Sequence, residues 1–178
     1  MAHHTVKQGY ADLVARINRF PQGAPPSELL FQILEMLFSE REAELVSLLP
    51  IKPFTAEKAA QVWKMPVDSA RIVLDELAGR AVLVDIESED GFTYVLPPPM
   101  AGFFEFSMMR IRDDLDQKVL ADLFSRYVNV EEDFIKALFT QGETHLGRTF
   151  VAETSLPMES SLEVLDYERA SHVIESAS

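Results

Sequence analysis

The sequence predicts a mainly α-helical protein carrying one small β-hairpin. Three observations carry that expectation. Apolar residues recur at helical spacing along much of the chain, as in Leu29, Leu30, Ile33, Leu34 and Leu37, and again in Ala70, Val73, Leu74 and Leu77. Strand-like alternation marks the stretch Val82 to Leu96, broken by Ser88-Glu-Asp-Gly91. Between Phe54 and Pro97 the order is short helix, tight turn, longer helix, hairpin, which is a winged helix-turn-helix.

The elements follow in order. Leu13, Val14, Ile17 and Phe20 give one apolar side to a helix over Tyr10 to Phe20, and Pro21 to Pro26 reads as a linker. Ser27 caps the next helix, and Ser39-x-x-Glu42 has the capping-box spacing that starts another, ended by Pro50 and Pro53. Thr55 caps the first helix of the central motif, with Glu57 in its first turn. Met65-Pro66 ends that helix, and Pro66 suits the first turn of the next. Where the second helix turns into the wing, many such motifs carry Gly; this chain has Ala81. In the wing, Val82, Val84 and Ile86 alternate with Leu83, Asp85 and Glu87, Gly91 supplies a positive φ, and Pro97-Pro98-Pro99 stops the returning strand. Asp113 or Asp114 begins a helix through Leu115, Val119, Leu120, Leu123, Phe124 and Tyr127. Asn129 caps another, burying Phe134, Ile135, Leu138 and Phe139. Thr149 to Val151 suits a short extended piece, and a last helix runs from about Leu165 through Tyr167, Ala170, Val173 and Ile174. The domain reading is therefore an N-terminal helix and linker over 1–26, a winged helix over 27–99 and a helical extension over 100–178.

Composition narrows the function classes. The hydrophobic share of 47% and charged share of 25% fit a soluble globular protein. There is no bilayer-length apolar run and no signal-peptide pattern, so the expected address is cytoplasmic, with no membrane partner. With no Cys, these residues offer no disulfide, no thiol nucleophile and no thiolate-held cluster. The four His (His3, His4, His145, His172) are scattered and build no metal face. The loop Gln141 to Arg148 lacks the order of a phosphate loop, and Asp113-Asp114-x-Asp116 lacks the glycine and distal Glu of a calcium loop. The chain is thus read as non-catalytic, with no catalytic, cofactor-binding or metal residues.

Charge bears on the wing. The chain has 29 acids against 16 bases, a net −13. From Ala81 to Met109 there is no Lys, Arg or His, while Asp85, Glu87, Glu89 and Asp90 crowd the hairpin. Such a surface repels phosphates and has no counterion release to offer. The reading is a winged helix used for protein contact. The alternative, a DNA-binding transcriptional regulator, rests on Lys58, Lys64, Arg71 and Arg80, most naturally in a homodimer.

Three Phe and three Met fall within the eleven residues Met100 to Arg110. Met100, Phe103, Phe104, Phe106, Met108 and Met109 are either a core-facing connector or an exposed protein-docking surface. In this stretch, from Leu96-Pro-Pro-Pro-Met-Ala-Gly-Phe-Phe-Glu-Phe-Ser-Met-Met-Arg110, and again at Leu165-Asp-Tyr-Glu-Arg-Ala-Ser-His-Val-Ile174 and Lys52 to Ala60, the chain resembles the N-terminal region of a family of bacterial and archaeal 4Fe-4S ferredoxin-type proteins. The resemblance runs from about Ser27 to Ser178. It implies a winged-helix region that precedes a Cys-rich half, and electron transfer through 4Fe-4S clusters held there. No cluster ligand is carried over to this chain. The last helix carries no stop signal, so the chain is read as the N-terminal portion of a longer protein. The implied role is to dock or position a protein partner or the chain's own downstream ferredoxin domain, or to pair subunits.

Overall fold

The computed structural model describes residues 8–20, 23–89, 91–140, 167, 171 and 172. The chain divides into two units, Met1–Leu146 and Gly147–Ser178. In the second, Tyr167, Ser171 and His172 are helical. The remaining expectations there, together with the Gln141–Arg148 loop and His3, His4 and His145, lie outside the described residues.

The first unit is mainly α with one two-stranded antiparallel hairpin. Helix α1 (Gln8–Ile17) turns Tyr10, Leu13, Val14 and Ile17 inward. It lies against α3 (Glu40–Ser47), close enough that a Cβ on Gly9 would stand 2.9 Å from Glu44 Cγ. Ser27 caps α2 (Glu28–Leu37) by accepting from the Leu30 N–H. Ser39 and Glu42 form the capping box of α3 with both reciprocal bonds in place. Tyr10 donates to the Phe38 carbonyl at 2.9 Å, and the indole of Trp63 donates to the Leu45 carbonyl at 2.8 Å. The C-terminal end of α3 is held by a buried cation: Arg16 donates to the carbonyls of Leu49 and Pro50 and stands over the Phe20 ring. Burial, with the nearby charge of Arg19, lowers the Arg16 guanidinium to about 10.

The central motif is α4 (Ala56–Trp63), α5 (Val67–Gly79), β1 (Val84–Ser88) and β2 (Gly91–Val95). Thr55 caps α4, and Lys64 leaves it in the left-handed region at φ 54°. Pro66 occupies the N-cap position of α5, one place before the first turn expected of it. Strands β1 and β2 pair Asp85 with Tyr94 and Glu87 with Phe92. Phe54 adds a single antiparallel bridge to Tyr94, through bonds of 2.9 and 2.7 Å, so the segment before α4 is tied to the wing.

Two corrections concern the wing. The strand begins at Val84, not Val82, because Val82 and Leu83 are both buried and both amides turn back to the Leu77 carbonyl in the last turn of α5. The inward face of the hairpin is the one bearing Tyr94, which stacks on Phe54, so Ile86 points outward and is 45% exposed. Gly91 has the expected positive φ of 111°.

After the wing, one π-helical turn (Pro99–Phe103) runs straight into α6 (Phe104–Met109). Asp116, not Asp113 or Asp114, caps α7 (Gln117–Asn129), accepting from the Lys118 and Val119 amides. Asp114 instead takes a two-pronged bond from Arg112 at 2.9 and 2.6 Å, which lowers its pKa. Asn129 ends α7 and does not cap the next helix, α8 (Glu132–Thr140). One apolar core runs from Tyr10 to Phe134 and takes in both the helices before the wing and those after it. Tyr127 of α7 closes the arrangement by donating to the Pro25 carbonyl at 2.8 Å.

Candidate functional site

The Phe/Met run divides by burial. Phe103 and Phe104 lie in the core. Their rings meet edge-on at 4.8 Å, and Phe103 also meets Phe38. Phe106, Met100 and Met108 are half-buried, and Met109 is 76% exposed. The division has a local cause. Phe104 and Met109 stand five residues apart at the two ends of α6, about 140° apart around the helix, so the core that takes Phe104 leaves Met109 out.

Met100, Phe104 and Met108 do not stand alone. With Phe124 and Val128 of α7 they line an open apolar hollow of about 410 Å³, with Glu105 at its margin. Phe104 forms its floor, 4.8 Å from the Phe124 ring. Phe124 and Val128, four residues apart, form a stripe beside the buried Leu120, Leu123 and Tyr127. That spacing is present in the sequence; its separation from the core stripe is not, because both stripes are apolar.

The four cations of the nucleic-acid alternative do not form one surface. Lys58 near the start of α4, Lys64 at its C-cap and Arg71 within α5 are exposed. Arg71 faces Glu57 at 3.6 Å. Arg80 is turned inward: its guanidinium donates to the Leu37 carbonyl and to Glu42, leaving the side chain 24% exposed. α5 also exposes Asp68, Ile72, Asp75 and Glu76, and the hairpin exposes Asp85, Glu87 and Glu89.

A second cavity, not anticipated from the sequence, opens between α5 and the inward face of the hairpin. Tyr94 stands at its back and donates to Asp75 at 2.6 Å. Burial first, then that bond and the charge of Asp75, push the Tyr94 phenol up to about 12. Among the described residues no group of three or more His, Cys, Asp or Glu is arranged to hold a metal, and no helix is long and apolar enough to cross a membrane.

No family model matches this chain, and neither a curated protein nor a solved structure matches it.

Proposed function

We propose that this chain is a non-catalytic docking and scaffold region, built on a winged helix, for a cytoplasmic 4Fe-4S electron-transfer protein. One observation carries the reading: Met100 and Met108, the half-buried methionines of the Phe/Met run, line an open apolar hollow floored by the core ring Phe104. Methionines suit such a surface, since their flexible thioethers adapt to a partner's shape. The iron–sulfur part of the proposal rests on the ferredoxin-type resemblance, whose most specific motif contains Met100, Phe104 and Met108. The partner is a 4Fe-4S domain, supplied either by a separate protein or by the same polypeptide.

The exposed acids of α5 and the hairpin support a protein partner over nucleic acid, since they would meet phosphates with carboxylates. The alternative, a DNA-binding regulator, draws on the exposed Lys58, Lys64 and Arg71.

One titration separates the two. A 4Fe-4S ferredoxin-type domain is added to the chain while the Met100 and Met108 methyl resonances are followed. Saturable shifts that vanish in Met108→Asp are expected. Absence of any shift would remove the docking reading. Binding to duplex DNA at low salt, lost in Arg71→Ala, would put the regulator in its place.

A further inference from the structure

The cavity between α5 and the hairpin has a volume of about 380 Å³, within the range of about 300–1,000 Å³ typical of small-molecule sites. Arg71 and Asp75 come to it from α5, Asp85 and Phe92 from the hairpin, and Arg110 from the end of α6. Two of these charges are already engaged: Asp75 accepts from Tyr94, and Arg71 faces Glu57. Asp85 and Arg110 have no ion-pair partner among the described residues, so one free anion and one free cation look into the same space. Phe92, 45% exposed, offers an uncovered ring beside them.

The lining rules ligands out by charge. A polyanion would meet Asp75 and Asp85; a simple cation would meet Arg71 and Arg110. A purely apolar compound would strip water from charged groups and return nothing. A ligand carrying both signs on a small aromatic body satisfies all of them. We infer that this groove binds an aromatic amino-acid zwitterion, with its carboxylate on the Arg110 guanidinium, its ammonium on Asp85 and its ring against Phe92. A planar guanidinium grips a carboxylate with two parallel bonds, which is why Arg110 anchors the acid end. The inference is independent of the docking proposal, because the groove and the apolar hollow share no lining residue.

The test is a titration of the full ¹⁵N-labelled chain with L-phenylalanine and with L-tryptophan, following the amides of Gly79, Phe92 and Tyr94. Saturable shifts are expected with a Kd of about 1 mM or tighter, the range open to a ligand of this size. Phenylacetate and phenethylamine, each lacking one charge, should bind at least about tenfold more weakly. Arg110→Gln and Asp85→Asn should each weaken L-phenylalanine binding about tenfold. Both positions are exposed, and unchanged thermal unfolding would show that the variants fold. The inference is overturned by no saturable shift with either amino acid up to about 10 mM. It is equally overturned by equal affinity for the singly charged analogues, or by full affinity in both variants.

Discussion

Ala81 holds φ at 59°, in the left-handed region that costs a residue with a Cβ roughly 1–2 kcal/mol. Its N–H still closes the end of α5 on the Ala78 carbonyl at 2.8 Å, so the turn forms despite the side chain. Ala81→Gly should stabilise the protein by about 0.5–1 kcal/mol, the relief being partly offset by the freer unfolded chain. Urea unfolding of the two proteins measures it; an unchanged midpoint would mean that the turn is not strained. The sequence points to this position, since a glycine is usual there, but not to whether the chain would keep the turn or reroute it. Tyr94 gives a pH-dependent case. A tyrosine in the unfolded chain titrates near about 10, whereas folded Tyr94 holds its proton to about 12. The folded state is therefore the better proton binder. The stability due to this group is complete below about pH 10 and is lost as pH rises toward 12. Tyr94→Phe should cost about 1 kcal/mol at neutral pH through the lost bond to Asp75. It should also flatten the decline in stability across that alkaline window, read by denaturant unfolding at stepped pH. A residual slope remains from Tyr127, whose phenol is also raised by burial.

At the scale of elements, Glu42 does more than its capping box requires. One carboxylate oxygen accepts from the Ser39 amide and hydroxyl, and the other accepts from Arg80 at the end of α5. The start of α3 and the end of α5 are clasped through one side chain. Glu42→Ala should cost about 1–3 kcal/mol, since a cap and a charged hydrogen bond are lost together. Arg80→Ala added to it should cost less than the sum of the two single changes, and a double-mutant cycle by thermal unfolding tests that coupling. The capping box was legible because both its residues lie within one turn; the clasp was not, because Arg80 is 38 residues away. The same distinction explains the wing. Alternation from Val82 reads as strand, yet Val82 and Leu83 both turn inward, a choice made by the core beneath and not by local period. The sequence points to Asp113 or Asp114 as the start of α7; the cap falls on Asp116 instead, and Asp114 is engaged by Arg112. The Phe/Met run was visible as apolar but not divisible into core and hollow, since Phe124 and Val128, which share the hollow, come from α7.

For the molecule as a whole, the helices before and after the wing share a single core, and α2 lies against α7. A chain ended after Pro99 retains the whole helix-turn-helix and hairpin. It loses α7 from the surface of α2 and the Phe103 ring from Phe38. Such a truncation should bind a hydrophobic dye and unfold with reduced cooperativity, whereas a chain ended after Thr140 should not. A sharp, dye-free transition in the shorter chain would show that the central motif folds without its extension. The contact between Tyr127 and Pro25 sets a timetable for the same event. The two residues are 102 positions apart, and at about 5–20 residues per second a ribosome needs roughly 5–20 s to make the second after the first. For that interval the side of α2 that α7 will cover stays open on the nascent chain.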